Sequence, residues 1–196
     1  MPGVDVVFGL EGTSLPSDHA EALALAVAAW LPWLADEPSA GIHPLRTAPT
    51  TQGMVLLSRR ARLLLRVPAH RAADSFALGG KRLDVGEGLA TGGGAVKELA
   101  PSPTLYSGRV ASATQDERAF HDEIAGWLEV VGVRCEFISG RPRPFAAGGP
   151  GARAYGLALH GLSPADSLKV QGSGLGPHRR LGCGIFVPHK AIAVPV

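Results

Sequence analysis

Two histidines are the residues of this sequence best suited to proton transfer. His19 falls in the first turn of a predicted helix, and His43 falls in a short loop between Gly41 and Pro44. An imidazole that titrates near neutrality can accept or donate a proton in general acid–base catalysis. His19 could equally be a polar residue of a capping turn, and His43 could line the same cleft or simply be exposed. The sequence leaves these alternatives open.

A glycine-rich segment over 172–190 is suited to binding a phosphodiester chain. It holds two Gly-x-Gly pairs separated by five residues, two of which are arginines. Paired glycines allow another backbone to approach closely, and backbone amides with guanidinium groups suit phosphate. The spacing matches neither the dinucleotide-binding motif nor the phosphate loop of nucleotide hydrolases. The predicted RNA-binding residues here are Gly174, Gly176, His178, Arg179, Arg180, Gly182, Gly184 and Lys190.

Further positive charge is predicted on a hairpin and just before the glycine-rich segment. Arg59, Arg60 and Arg62 lie in a stretch, 59–71, that contains no acidic residue, so we predict that they also contact RNA. The alternative is a solvated hairpin face. Lys169 is also predicted to contact RNA, where it could neutralise charge in a transition state, and the alternative is that it serves only solubility.

Composition narrows the classes of function. Residues 1–133 hold 11 Lys/Arg against 15 Asp/Glu, whereas 134–196 hold 8 against 2, which favours a polyanionic partner for the C-terminal third. The seven histidines and two cysteines lack metal-binding spacings, so we predict no metal and no other cofactor. Without a signal peptide or a membrane-spanning stretch, a cytoplasmic protein is expected.

The elements that must position these residues follow one order twice. In the first half, hydrophobic periodicity predicts a strand over 4–10, a helix over 18–33, a hairpin over 54–57 and 61–67, a helix over 68–78, and a strand over 81–85, with 86–94 as a connector. In the second half it predicts strands over 104–111, 134–138, 155–159 and 185–187, and helices over 115–131 and 163–169.

This pattern indicates an α+β fold built from two tandem ferredoxin-like, RRM-like β-α-β-β-α-β units, over residues 1–93 and 94–196. The first unit would carry the helix-one histidine, and the second would carry the glycine-rich segment.

Taken together, these features resemble the RAMP superfamily, specifically the family-six endoribonucleases that process precursor CRISPR RNA, in their short myxobacterial-type variant. The similarity is carried by the glycine-rich segment and by five local strings: L-P-S-D-H (15–19), G-I-H-P-L (41–45), L-S-R-R (57–60), G-L-S-P-A-D-S-L (161–168) and G-C-G-I-F-V-P-H-K (182–190).

The resemblance implies metal-independent cleavage within each CRISPR repeat. A ribose 2′-hydroxyl would attack the adjacent phosphate and leave a 2′,3′-cyclic phosphate and a 5′-hydroxyl end. His19 corresponds to the general base of the family, with His43 in reserve. The implied partners are precursor and mature CRISPR repeat RNA, together with other subunits of a CRISPR effector complex.

Two other classes of function remain open. A non-catalytic RNA-binding subunit of a CRISPR effector complex would share the double fold and the glycine-rich segment. A more distant alternative is a small acyl- or phosphate-binding α+β enzyme.

Overall fold

A computed structural model describes residues 3–50, 53–145 and 152–190, which divide into two compact units. The first unit comprises Gly3–Glu98 together with Arg179–Gly182, and the second comprises Leu99–His178 and the chain from Cys183. The predicted boundary lay at 93/94. It differs because the strand that contains residue 94 continues to Glu98.

The first unit contains a five-stranded antiparallel sheet and a smaller, three-stranded sheet. The strands are β1 (Gly3–Glu11), β2 (Ser14–Pro16), β3 (Gly41–Ile42), β4 (Thr47–Pro49), β5 (Met54–Leu57), β6 (Arg62–Pro68), β7 (Arg82–Leu83) and β8 (Leu89–Glu98). The large sheet has the order β3-β6-β1-β8-β7, and the small one has the order β2-β5-β4.

Helix α1 (Ala20–Trp30) supplies the apolar layer that covers one face of the large sheet. Its buried residues Leu23 and Val27 join a core that includes Val4, Val6 and Phe8 of β1. The helix ends before Pro32, whose ring cannot continue the hydrogen-bond ladder, and a 3₁₀ turn over Pro32–Ala35 follows. The second predicted helix is present as α2 (Ala72–Ser75) between 3₁₀ turns over Ala69–Arg71 and Phe76–Leu78.

Two predictions about the first unit are wrong. The turn at 58–60 exists, with the Ala61 amide donating to the Ser58 carbonyl, but β5 and β6 do not form a hairpin. Strand β5 pairs with β2 and β4, whereas β6 pairs with β1 and β3. Alternating hydrophobicity identifies a strand without naming its partner, so the pattern could not exclude a hairpin.

The predicted connector over 86–94 is also mostly strand. Strand β8 lies between β1 and β7 and carries Gly92, Gly93 and Gly94 in its middle. A Cβ atom at Gly94 would lie 2.7 Å from the rings of both Phe8 and Phe76. Glycine is therefore required there by packing, although its low strand propensity argued for a loop.

The second unit repeats the arrangement with β9 (Leu105–Ser112), β10 (Glu136–Ser139), β11 (Arg143–Pro144), β12 (Arg153–His160) and β13 (Val187–Pro188), and with α3 (Glu117–Val131) and α4 (Pro164–Ser173). Its sheet has the order β10-β12-β9-β13, and β11 extends the edge by pairing with β12. The Asp116 side chain caps α3 by accepting from the Ala119 amide, and Gly132 ends it in the left-handed region.

The core of the second unit lies between this sheet and the two helices. Phe120, Ile124 and Leu128 of α3 are buried in it, and the Phe120 ring stacks on Tyr155 with centroids 3.8 Å apart. Both units therefore have the ferredoxin-like order, which confirms the predicted α+β fold class. Within the described residues, no helix is long and apolar enough to cross a membrane.

Neighbouring glycines in β8 provide a matched test of this packing. Gly94→Ala is expected to lower the free energy of unfolding by about 1–3 kcal/mol, since fully buried Phe8 cannot move away from the added methyl group. Gly93→Ala, with no atom within 4 Å of its Cβ position, should change it by less than about 0.5 kcal/mol. Urea unfolding measures both, and equal effects would contradict the packing explanation.

Candidate functional site

A buried cluster of charged side chains lies on the face of the large sheet opposite to its apolar core. Asp5 of β1 and Arg66 of β6 are directly opposite each other in the strand register. The Arg66 guanidinium binds the Asp5 carboxylate at both oxygens, with Nε–Oδ1 2.6 Å and Nη2–Oδ2 3.1 Å. Asp5 is 5% exposed and Arg66 is 1% exposed, so this bidentate pair is shielded from solvent.

His43 joins this cluster directly after β3. Its backbone amide donates to the Leu64 carbonyl, which continues the pairing with β6 and places the side chain on the face of Arg66. The ring Nε2 lies 3.0 Å from Asp5 Oδ1. Because a carboxylate only accepts, Nε2 carries the proton and the lone pair is on Nδ1.

The cluster shifts the pKa values of both groups. Burial alone would raise the pKa of Asp5, but hydrogen bonds from His43 and Arg66 and the positive charge of Arg66 hold it well below its ordinary value. Burial lowers the pKa of His43, and the charges of Arg66 and Arg179 lower it further against the opposing effect of Asp5. At neutral pH the cluster thus contains a carboxylate and a neutral imidazole.

Arg179, from the glycine-rich segment, lies close to this cluster within the first unit. It belongs to a 3₁₀ turn over Arg179–Leu181 that packs against α1 and β3. Its Nε and Nη2 atoms donate to the Ser39 carbonyl at 3.1 and 2.9 Å, and burial lowers its pKa to about 10. The neighbouring Arg180 is exposed and reaches the Leu34 carbonyl at 3.5 Å.

His19 occupies a different place in the first unit. It is partly buried at the start of α1, and its Nδ1 donates to the Pro16 carbonyl at 2.7 Å, which leaves the lone pair on Nε2. Helix α1 is 11 residues and about 16 Å long, and Leu34 and Ser39, whose carbonyls accept from the two arginines, follow its other end. The described contacts therefore bring His43, not His19, to Arg179.

The glycine-rich segment uses several of its backbone groups inside the protein. The amides of Gly174, Gly182 and Gly184 donate to the carbonyls of Val170, Arg179 and Arg109 at 2.8, 3.1 and 2.8 Å. A Cβ on Gly184 would overlap the Leu175 carbonyl, since the two backbones approach closely there. These three amides are therefore occupied inside the protein, and contact between the glycines and RNA stays a prediction.

The other predicted RNA-binding residues are mostly at the surface of their own unit. Arg59, Arg60 and Arg62 are exposed around the 58–60 turn, and Lys190 is exposed after β13. Lys169 is exposed on α4, where its Nζ forms an ion pair with Asp166 at 3.0 Å. In the second unit His178 is exposed with a φ of 65°, and Trp127 packs beside Gly176.

Comparison with known proteins identifies the family. The family model described as Cas6 Crispr matches residues 4–191. This chain belongs to the Cas6 family. It is 34% identical over 187 residues to the CRISPR-associated endonuclease Cas6 of Myxococcus xanthus strain DK1622, covering 94% of this chain and 81% of that one.

Solved structures of Cas6 and RAMP proteins share the fold. A CRISPR associated protein Cas6 has a TM-score of 0.66 at 12% identity, covering 96% of this chain and all of that one. A RAMP protein described as binding different RNA substrates has a TM-score of 0.64 at 12% identity, covering 97% of this chain and all of that one. At such identities the similarity concerns the fold alone.

Asp5 and Arg66 are the members of the buried cluster that the sequence analysis did not select as site residues. The sequence does contain an indication of this pair. Asp5 is an acidic residue among Val4, Val6 and Val7 in one predicted strand, and Arg66 is a basic residue among apolar residues in another. Pairing the two required the strand order. Among the described residues no group of three potential metal ligands was found.

Removing the Asp5 carboxylate tests the energy of this cluster. Asp5→Ala is expected to lower the free energy of unfolding by about 3–5 kcal/mol, because it leaves Arg66 buried without its carboxylate partner. The matched control Asp74→Ala, which breaks the more exposed pair with Arg71, should cost no more than about 1 kcal/mol. Equal losses in urea unfolding would contradict the stabilising role of Asp5.

The same pair has a pH signature. A lowered pKa means that the stabilisation is present above the unfolded-state pKa of Asp, about 4, and is lost as the pH falls through the folded-state value. The Asp5→Asn variant should therefore show a shallower loss of stability below about pH 4 than the parent protein.

Proposed function

We propose that this protein is a metal-independent endoribonuclease that cleaves precursor CRISPR RNA within its repeats and holds the repeat stem. The support is membership of the Cas6 family and 34% identity to a Cas6 endonuclease over 94% of the chain. We place this activity in the cytoplasm, with CRISPR repeat RNA and other effector-complex subunits as partners.

The reaction that fits these residues is attack by the ribose 2′-hydroxyl on the adjacent phosphate. The 2′-oxygen forms a bond to phosphorus while the bond to the 5′-oxygen breaks, which leaves a 2′,3′-cyclic phosphate and a 5′-hydroxyl. A base must accept the 2′ proton, a donor must protonate the 5′-oxygen, and positive charge must stabilise the phosphorane. Side chains can supply all three.

The observation that carries this proposal is the position of His43 among Asp5, Arg66 and Arg179. A base oriented by a carboxylate is the arrangement that nucleophilic enzymes use to activate a hydroxyl group. The neutral imidazole can accept the 2′ proton at Nδ1, and its side chain keeps 11% of its surface accessible. The nearby guanidinium groups would favour the developing negative charge.

His19 is the second candidate for the general base. Its Nε2 lone pair is oriented by the Pro16 hydrogen bond, and the ring is less buried than that of His43. The hydrogen bonds and ion pairs of the described residues link His43 to Asp5 and through it to Arg66, whereas His19 bonds only a backbone carbonyl, which favours His43.

The stem would be bound through its phosphates. We propose that the exposed Arg59, Arg60 and Arg62 contact an A-form backbone, with Lys169, His178, Arg180 and Lys190 adding charge and with Gly174, Gly176, Gly182 and Gly184 shaping the glycine-rich segment. The alternative is a non-catalytic RNA-binding subunit of a CRISPR effector complex, which would use the same surfaces without turnover.

The reaction is tested by cleavage, in EDTA, of the CRISPR repeat transcript from the organism that encodes this protein. His43→Ala is expected to lower the single-turnover rate by about 10²–10⁴-fold while RNA affinity is kept, because a general base is lost. His70→Ala, a half-exposed histidine of the same unit, is the control and should cleave normally. A 2′-deoxy substitution at the scissile nucleotide should abolish cleavage.

Each other outcome has a definite meaning. A large loss of cleavage rate in His19→Ala, with normal cleavage by His43→Ala, would identify His19 as the general base. Cleavage that requires a divalent metal, or that survives the 2′-deoxy substitution, would contradict the reaction. Binding without cleavage by the parent protein would favour the non-catalytic subunit.

The arginine prediction is tested by salt dependence. Arg60→Ala and Arg62→Ala should each weaken repeat binding and reduce the slope of log affinity against log salt by about 0.7–0.9, one phosphate contact apiece. Arg118→Ala, at an exposed position of α3, is the control and should leave the slope unchanged. An unchanged slope in all three variants would show that this turn does not touch phosphate.

A further inference from the structure

The sheet of the second unit has one face that its helices do not cover. Strand pairing aligns Ile138, Ala158, Tyr106 and Val187 in one row across β10, β12, β9 and β13. Directly paired antiparallel residues point to the same face, and the neighbouring Leu105, Leu157 and Leu159 point into the core. Ile138, Tyr106 and Val187 keep 51%, 37% and 37% of their surface exposed.

Tyr106 shares this face with a second ring. His189 follows β13, its backbone amide donates to the Thr104 carbonyl, and its imidazole lies 5.3 Å from the Tyr106 ring at an angle of 54°. The His189 Nδ1 donates to the Lys190 carbonyl at 2.7 Å, which holds the ring in place. Together the two rings form an exposed aromatic corner.

Glycine beneath Tyr106 lets its ring lie along the sheet. A Cβ at Gly156 would lie 2.9 Å from the tyrosine hydroxyl, and one at Gly108 would lie 3.7 Å from the ring. The inner side of the ring therefore packs on backbone, which leaves the exposed part of Tyr106 to meet a flat ligand.

The charges around the face favour an anion. Exposed Arg143 pairs with Ala154 and lies on the same face of the sheet. Exposed Lys190 directly follows His189 in the chain. One acidic residue, Glu136 of β10, also lies on this face, in the row next to that of Ile138. Aromatic rings flanked by cations bind unpaired nucleotides by stacking on the base and attracting the phosphate.

We propose that Tyr106 and His189, neither of which is assigned above to cleavage or stem binding, form a stacking site for an unpaired base of RNA. The choice of RNA as the ligand rests on the proposed function, whereas the exposed aromatic corner itself is a feature of the structure. It would bind a single-stranded part of the transcript, outside the paired stem. Base stacking tolerates any sequence, so the site adds affinity for unpaired RNA and does not select a base.

The test uses the full chain with two labelled probes: a single-stranded oligoadenylate of about eight nucleotides, which suits such sites, and a blunt RNA duplex without tails. Tyr106→Ala is expected to weaken oligoadenylate binding by about 5- to 100-fold and to leave duplex binding unchanged. Tyr106→Phe keeps the ring and should bind like the parent protein. Val130→Ala, which removes exposed apolar surface from α3 of the same unit, is the control.

A second readout does not depend on affinity. A 2-aminopurine base within the oligoadenylate should lose fluorescence on binding to the parent protein and to Tyr106→Phe, and should lose less on binding to Tyr106→Ala at saturation. Thermal unfolding of the three proteins checks that the changes at Tyr106 leave the fold intact. If Tyr106→Ala is unfolded, His189→Ala tests the same site independently.

The outcomes separate this proposal from the proposed function. If the parent protein cleaves repeat RNA but Tyr106→Ala and His189→Ala bind the oligoadenylate normally, the stacking site is overturned. Binding of a protein partner would then be the remaining explanation for the exposed face. The same holds if the parent protein fails to bind the oligoadenylate yet cleaves the repeat. If it binds no RNA at all, both proposals fail.

Discussion

The first unit depends on burying a carboxylate beside a guanidinium group. Asp5 and Arg66 stand opposite each other on adjacent strands, and each offsets part of the cost of burying the other's charge. Once this pair is formed, Asp5 also accepts the His43 hydrogen bond and thereby determines which ring nitrogen keeps its lone pair. A structural ion pair thus orients the residue that we propose as the base, so stability and chemistry depend on the same contact.

The glycine-rich segment has a packing role whether or not it binds RNA. Gly184 allows a close approach of two backbones, and the amides of Gly174, Gly182 and Gly184 donate to internal carbonyls. Its two arginines differ, because Arg179 is buried against Ser39 while Arg180 is exposed. The glycines of this segment are therefore explained by packing, whether or not the segment also contacts RNA.

Hydrophobic periodicity predicted most of the fold correctly, including α1, α3 and the strand at β1. It failed where packing overrode local preference. The glycines of 86–94 predict a connector although most of this stretch belongs to β8 inside the sheet, where the glycine at position 94 makes room for Phe8 and Phe76. The hairpin at 54–67 was wrong because β5 and β6 belong to different sheets.

By itself, the sequence determined the fold class, the family resemblance and a short set of candidate histidines and arginines. These follow from periodicity and from residue types at fixed spacing, which are local properties of the chain. Only the tertiary structure decided that His43 stands with Asp5, Arg66 and Arg179, and that Tyr106 and His189 share an open face. These groups lie far apart in the chain, and strand order and register, which local patterns do not encode, bring each set together.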